Sequence, residues 1–250
     1  MRNIAWALCV GALVSTSVQA QQWEGNFLLG VSGNYNWNNN DDFEGTISHA
    51  TTGRVTNFGH AETGDDNDNW SWGLLGGYQA RCNGWILGGE LSIDWIDNTH
   101  RDSNNFAFTD ANTPNRGWTG NTNFHRDYAV ALTGRMGYEV SPFFIPYIRA
   151  GAETSRDKIT FNLFTPTGAP FLIASNDGRI QSYRFVGGLG AEVPVPVFDG
   201  VTFRTEWNYH SKGKTVDTAG LANDNMTLIM VSNQQSINTV KASLVYNFPF

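Results

Sequence analysis

Cysteine is nearly absent: the 250 residues include two, Cys9 and Cys82. Cys9 sits inside an N-terminal apolar stretch that reads as a leader, which leaves Cys82 alone and excludes an intrachain disulfide in the mature chain. Positive charge is also scarce, with 16 Lys and Arg against 23 Asp and Glu, and one basic residue fewer once Arg2 is removed. Such an acidic balance suits phosphate backbones poorly, so nucleic acid is not expected as a partner. Long hydrophobic runs are missing too. The stretch Ile4 to Val14 falls short of the roughly 20 residues a helix needs to cross a bilayer, and no later segment qualifies. No Pro- or Ser-rich linker divides the chain, which favours one all-β domain over two smaller ones.

The basic Arg2, the apolar stretch behind it and the small-residue exit Val18-Gln19-Ala20 have the form of a secretory signal. Residues 1–20 are therefore expected to be a signal peptide, with the folded domain over 21–250. Leu8-Cys9 has the form of a lipidation site, but Cys9 falls within the apolar core of the signal, which argues against it.

Glycine is abundant at 27 residues, and Trp, Tyr and Phe are frequent. They fall into a period of two. Phe27, Leu29, Val31, Gly33, Tyr35 and Trp37 share one face, with Asn26, Ser32, Asn34 and Asn36 mainly on the other. The pattern recurs at Trp70, Trp72, Leu74, Gly76, Tyr78 and at Trp85, Leu87, Gly89, Leu91, Ile93, Trp95, joined through Cys82-Asn83-Gly84 as a hairpin. A fourth strand aligns Phe124, Tyr128, Val130, Leu132, Gly134, Met136, Tyr138 and Val140 against His125, Asp127, Thr133, Arg135 and Glu139. After Ser141-Pro142, Phe144, Ile148, Ala150 and Ala152 oppose Arg149 and Glu153. Tyr183, Phe185, Leu189, Ala191 and Val193 oppose Arg184 and Glu192. Beyond Pro194-Val195-Pro196, Val201, Phe203, Trp207 and Tyr209 oppose Arg204, Glu206, Asn208 and His210. The eighth strand sets Val240, Ala242, Leu244, Tyr246, Phe248 and Phe250 against Lys241, Ser243 and Asn247.

The connections alternate between long, near 38–68, 99–123, 156–180 and 212–234, and short, near 82–84, 141–142 and 194–200. Outer-membrane barrels show this asymmetry, with short periplasmic turns and longer external loops. Strand segments of about 12 residues suffice to span, since a tilted strand needs about 9–11. The expected fold is all-β: an eight-stranded antiparallel transmembrane up-and-down β-barrel with both termini periplasmic.

Periodicity alone also permits a soluble sandwich or lipocalin with its apolar face inward. The aromatics argue for the reverse. Trp37, Trp70, Trp72, Trp85, Trp95, Tyr138, Phe144, Tyr209 and Phe248 gather at the ends of the apolar faces, where interfacial girdles belong. The opposite face carries Arg81, Glu90, Asp94, Asp127, Arg135, Glu139, Arg149, Glu153, Arg184, Glu192, Arg204, Glu206 and Lys241, nearly balanced in sign. Packed in a lumen, such ions offset one another. Gly73, Gly77, Gly88, Gly137 and Gly188 are expected to leave room for them. Pro146 and Pro249 fall at the predicted periplasmic ends. Arg126, Arg179 and Asp97 have outward parity but lie near the external rim, where charge costs about 0–1 kcal/mol.

Several segments are similar to OmpA-like and Opa-type outer-membrane barrels, the group of porin-family or opacity proteins. They include Gly30-Val31-Ser32-Gly33-Asn34-Tyr35-Asn36-Trp37, Gly76-Gly77-Tyr78-Gln79, Gly88-Gly89-Glu90-Leu91-Ser92 and Arg135-Met136-Gly137-Tyr138. The likeness continues through Pro146-Tyr147-Ile148-Arg149-Ala150-Gly151, Gly187-Gly188-Leu189-Gly190-Ala191-Glu192, Arg204-Thr205-Glu206-Trp207-Asn208-Tyr209 and the terminal Tyr246-Asn247-Phe248-Pro249-Phe250. The resemblance implies outer-membrane lipids and lipopolysaccharide as surroundings, and the barrel-assembly machinery and periplasmic chaperones as partners in biogenesis. It implies host surface ligands as candidates for the external loops. Family members include structural barrels, adhesins, haem binders and weak pore formers, so the resemblance does not fix an activity.

The interior of an eight-stranded barrel is just wide enough for side chains to fill, which disfavours a general diffusion pore but leaves a narrow channel as the alternative. Candidates for acid–base or nucleophilic chemistry are His125 with Asp127, and His210 with Ser211 and Glu206. His210 and Ser211 are adjacent and point to opposite faces in a strand. A lumen-facing His and Asp serve a hydrogen-bond network equally well. Asp65-Asp66-Asn67-Asp68-Asn69 offers oxygens to a cation, but twelve positions from Asp65 stands Gly76 rather than Glu, so the EF-hand pattern fails. His49, His60 and His100 are scattered over external loops without cysteine company. No catalytic, cofactor-binding or metal residue is assigned; a non-enzymatic, structural surface barrel whose external loops serve surface interaction or adhesion is expected, with the narrow channel as the alternative and a lipid-modifying enzyme behind it.

Overall fold

A computed structural model describes residues 23–49, 55–59, 68–96, 102–109, 117–164, 172–221 and 227–248. The segment read as a signal peptide lies outside them, as do Asp65, Asn67, His60, His100, Asp97, Pro249 and Phe250. The chain forms β1 (Glu24–His49), β2 (Val55–Gly59), β3 (Asp68–Cys82), β4 (Trp85–Ile96), β5 (Asp102–Thr109) and β6 (Gly117–Tyr138). It continues with β7 (Ile145–Phe164), β8 (Leu172–Pro194), β9 (Val201–His210), β10 (Val216–Leu221) and β11 (Thr227–Asn247).

Eight of these strands make a closed antiparallel barrel. The order β11-β9-β8-β7-β6-β4-β3-β1 closes where β1 pairs with β11, Val31 opposite Leu244. Closure removes every free edge from the bilayer, where an unpaired backbone group costs several kcal/mol. The eight-stranded barrel expected from the sequence is the one observed.

Two of the three short connections show their turn geometry directly. Asn83 and Gly84 have φ of 50° and 80° between the paired Cys82 and Trp85. Positive φ at both central residues is the mark of a two-residue type I′ turn. At Ser141, the carbonyl accepts the Phe144 amide at 3.0 Å, which turns β6 into β7.

The apolar faces point outward. Leu132 is 66% exposed, Leu244 51% and Leu189 58%, while the intervening Arg135, Glu192, Arg204 and Lys241 are buried. Trp85 meets Tyr138 edge-on at 5.2 Å, and Trp72 stacks on Trp95 at 4.6 Å, one pair toward each end of the wall.

The long connections differ from the expectation. Much of what reads as loop is strand: β1 stays paired with β11 as far as His49 opposite Thr227, and β6 with β7 as far as Thr119 opposite Phe164. β2, β5 and β10 pair along the far ends of β1, β6 and β11. The result is two four-stranded ribbons rising from one end of the barrel, β2-β1-β11-β10 and β5-β6-β7-β8, with β10 also lying against β8 and β7.

Along β7 the two faces exchange character. Below Ser155 the outward residues are Ile148, Ala150 and Ala152 and the inward ones Arg149 and Glu153. Above Asp157 the inward residues are the buried Ile159, Phe161 and Leu163, while Lys158, Thr160 and Asn162 face outward. A wall that is apolar outside suits lipid, and one that is apolar inside suits water. The bilayer therefore ends near residues 154–158 of β7. Beyond it, the Lys158 ammonium sits 3.0 Å from Asp177 and its hydrogen bond holds that carboxyl below the ordinary carboxylate range.

A second correction concerns Arg126 and Asp127. Between Arg126 and Ala129 the pairing slips: Arg126 faces Asp157 and Ala129 faces Ser155, so Asp127 and Tyr128 stand opposite Arg156 alone. The extra residue of this bulge inverts parity. Arg126, expected outward, is therefore buried, and Asp127, expected in the lumen, is partly exposed and lies 3.9 Å from Arg156.

The inward glycines make the room expected of them. A Cβ on Gly188 would stand 2.1 Å from Asn208 Oδ1 and 2.6 Å from the Trp207 carbonyl; one on Gly73 would meet Asp94 Oδ1 at 2.1 Å. Because the Trp207 carbonyl is backbone and cannot swing aside, Gly188→Val is expected to destabilise the barrel by about 1–3 kcal/mol, the usual cost of overpacking. Urea unfolding in lipid vesicles measures it; an unchanged midpoint would contradict the packing described.

Candidate functional site

The barrel interior is the most elaborate part of the molecule, and it collects charged side chains from strands all round the wall, several strands contributing more than one. Because strands alternate inward and outward, one charge every second residue is enough to bring opposite signs together across the lumen. Toward the end bearing the termini, Glu90 of β4, Arg135 of β6, Glu192 of β8 and Arg204 of β9 form a closed square. Arg135 donates to Glu192 at 2.6 Å and to Glu90 at 3.4 Å; Arg204 donates to Glu192 at 2.9 Å and to Glu90 at 2.7 Å. Arg81 approaches Glu192 and Glu139 at 3.9 Å from the rim.

A second layer lies above it. Glu206 accepts from Arg149, from the Tyr147 hydroxyl at 2.7 Å and from Asn208 at 3.1 Å. Arg149 also donates to Thr133 at 2.8 Å, and the Tyr147 ring lies under the Arg135 guanidinium at 4.7 Å. Across the lumen Lys241 reaches both oxygens of Asp94, at 3.0 and 3.2 Å, and Asn34 donates to the same carboxylate at 2.9 Å.

The uppermost layer pairs Arg126 with Glu153 and Arg184 with Asp157, the latter at 2.6 Å. His210 Nδ1 lies 2.9 Å from Glu153 as well. Taking these ions out of water costs several kcal/mol each, an expense offset only when every charge meets its opposite, as it does here. Between the layers lies a space of about 30 Å³ lined by Asn34, Asp94, Arg149, His210 and Lys241 among others. That is the room of one or two waters, not of a solute.

Of the sequence candidates for chemistry, His210 and Ser211 separate in space. His125 stands opposite Lys158 on β6, beyond the bulge that turns Asp127 away from the lumen. Ser211 is tied to β8, its hydroxyl accepting the Phe185 amide at 2.9 Å, while the adjacent His210 points inward. Glu206 shares the lumen with His210 but is engaged by Arg149, Tyr147 and Asn208; the carboxylate beside His210 is Glu153 instead. Among the described residues no cluster of three or more His, Cys, Asp or Glu is placed to hold a metal.

One arrangement was not visible in the sequence. Thr239 Oγ1 is 3.2 Å from His210 Nε2, and Glu153 is beside Nδ1, an order that resembles nucleophile, base and orienting acid. The Thr239 hydroxyl, however, donates to Asn36 at 2.8 Å, and all three side chains are buried around the small chamber, where no ester or peptide fits.

A closed barrel with an apolar exterior and an ion-paired interior defines an outer-membrane barrel protein; among the described residues no helix is long and apolar enough to cross a membrane, and the crossing is made by strands. Residues 6–248 match the family described as outer membrane protein beta-barrel domain, and the chain belongs to it, as an eight-stranded barrel of the OmpA-like and Opa type.

Among solved structures it is similar to OprG of Pseudomonas aeruginosa, at 13% identity, covering 93% of this chain and all of that one, with a TM-score of 0.46. It is also similar to Ail, the attachment invasion locus protein of Yersinia pestis, at 12% identity over 90% of this chain and 99% of that one, TM-score 0.37. Neisserial surface protein A matches at 12% identity over 88% of this chain and 97% of its own, TM-score 0.37. No curated protein sequence matches the chain.

Proposed function

We propose that this protein is a non-enzymatic surface barrel whose membrane part is a rigid, plugged anchor and whose two ribbons are the contact surface, facing outward from the cell. The observation that carries this reading is the exchange of faces along β7. Past Asp157 the chain builds a folded, water-suited structure with Ile159, Phe161 and Leu163 inside, rather than loose connections. Among the described residues β2 pairs with β1 alone and β5 with β6 alone, and strand edges of this kind are what a partner can extend. On this reading both termini are periplasmic, residues 1–20 are cleaved, and host surfaces, antibodies or phage are the candidate ligands.

The test removes the tip of one ribbon. Ile159 pairs with Gly178 across β7 and β8, so residues 160–177 can be replaced by an Asn-Gly turn without disturbing the register below. The shortened barrel is expected to fold, as read by its heat-modifiable gel mobility, and cells displaying it are expected to lose attachment to host cells or extracellular matrix. Undiminished attachment by a folded, displayed variant would remove this ribbon from the proposal.

The narrow-channel alternative meets the filled lumen. With the Arg135, Arg204, Glu90 and Glu192 square intact, the refolded monomer is expected to show no steady conductance in planar bilayers. A large, stable conductance would restore the channel reading.

A further inference from the structure

Exposed apolar side chains are not confined to the lipid-facing belt, where Leu132 is 66% exposed. Val197 is 81% exposed, Phe143 66%, Val140 64% and Phe198 63%, and all four belong to the turns at the end bearing the termini. Turns projecting into water are normally polar, as Asn83-Gly84 is. The β6–β7 and β8–β9 turns are not: Val140-Ser141-Pro142-Phe143-Phe144 carries no charge, and Val195-Pro196-Val197-Phe198 reaches none until Asp199.

Their parity explains where they point. The outward row of β6, Leu132, Gly134, Met136 and Tyr138, runs on without a polar break into Val140. The outward row of β8, Leu189, Ala191 and Val193, runs on into Val195 and Val197. At the other end of β8, and of β7 beside it, the outward residues turn polar, as at Gln181, Arg156 and Lys158. The two turns are also neighbours on the wall, since β7 and β8 pair at Ile145 with Glu192 and at Pro146 with Ala191. On the β3–β4 side the belt stops at Trp85, level with Tyr138. Val140 lies two residues past that level, about 7 Å along the strand.

We propose that the turn segments 140–144 and 195–198 form an apolar lobe seated in the acyl–headgroup boundary of the leaflet on the side of the termini. The partner is the phospholipid leaflet, because the lobe is an unbroken continuation of the lipid-facing belt. The barrel is then held deeper on the β6–β9 side than on the β3–β4 side, and tilts accordingly. The lobe acts as a second anchor beside the aromatic girdle.

The experiment uses the whole barrel in a Cys82→Ser background, refolded into vesicles of phosphatidylethanolamine and phosphatidylglycerol. Single cysteines Phe143→Cys and Val197→Cys carry an environment-sensitive fluorophore; Leu132→Cys is the lipid reference and Asn83→Cys the aqueous one. Folding of each is verified by gel mobility, and Val140→Cys and Pro196→Cys stand in for either turn variant that does not fold. Phe143→Cys and Val197→Cys are expected to lose fluorescence to a nitroxide high on the lipid acyl chain and to resist iodide, whereas Asn83→Cys behaves in the opposite way. Iodide quenching at both turns equal to that at Asn83→Cys overturns the proposal and puts the lobe in water. Protection from both quenchers overturns it too, and assigns the lobe to a protein contact such as a second copy of this chain.

Discussion

Arg204→Met is expected to cost the folded barrel about 3–5 kcal/mol, the usual penalty for removing one partner of a buried ion pair. The reason is geometric. Arg204 is wholly buried and donates to Glu90 at 2.7 Å and to Glu192 at 2.9 Å, so its loss leaves two buried carboxylates to share Arg135. Arg81, at 3.9 Å and partly exposed, is too distant to substitute. The measurement is urea unfolding in vesicles. A companion variant separates charge from packing: replacing Glu90, Arg135, Glu192 and Arg204 together by apolar residues of similar volume removes the charges along with their desolvation cost. That variant is expected to be neutral or more stable by about 1–4 kcal/mol. A single substitution without effect would mean that the square does not exist as described.

Arginine placed on the outward face is expected to cost according to depth. Leu132→Arg puts a guanidinium near the bilayer midplane and is expected to destabilise by about 2–4 kcal/mol. Thr160→Arg, on the same side of the wall but above the exchange of faces on β7, is expected to cost about 0–1 kcal/mol, the value for the interface and beyond. The contrast matters more than either number. Equal costs at the two positions would mean that the bilayer does not end near residues 154–158.

The part of the fold inside the membrane was legible because one rule, alternation by two, governs every strand there and the apolar parity never changes within a strand. It was illegible where that parity changes. On β7 the apolar residues move from even positions, Ile148, Ala150 and Ala152, to odd ones, Ile159, Phe161 and Leu163. A reader following the even row sees Thr154, Arg156, Lys158, Thr160 and Asn162 and takes the strand to have ended. The strand had instead left the lipid, and its two faces had exchanged solvents. The bulge at Asp127 and Tyr128 is a local case of the same problem. Nothing in His125-Arg126-Asp127-Tyr128 marks an extra residue, yet it reverses which of Arg126 and Asp127 enters the lumen.

The lumen was legible as a set of charges but not as pairs. Parity shows that Glu90 and Arg204 both point inward. That they meet across 114 positions of sequence depends on barrel closure and strand stagger, which the alternation of one strand does not contain. For the same reason the carboxylate beside His210 is Glu153 of β7 rather than the nearby Glu206.

Methyl resonances of the barrel in lipid nanodiscs carrying a nitroxide on the acyl chain test the inside-out arrangement most directly. Leu132, Leu189 and Leu244 are expected to broaden beyond detection, while Ile159, Leu163 and Ile237 keep their intensity. Sharp signals from the first three, or loss of the second three, would contradict a wall that shows its hydrocarbon side chains to lipid below and hides them from water above.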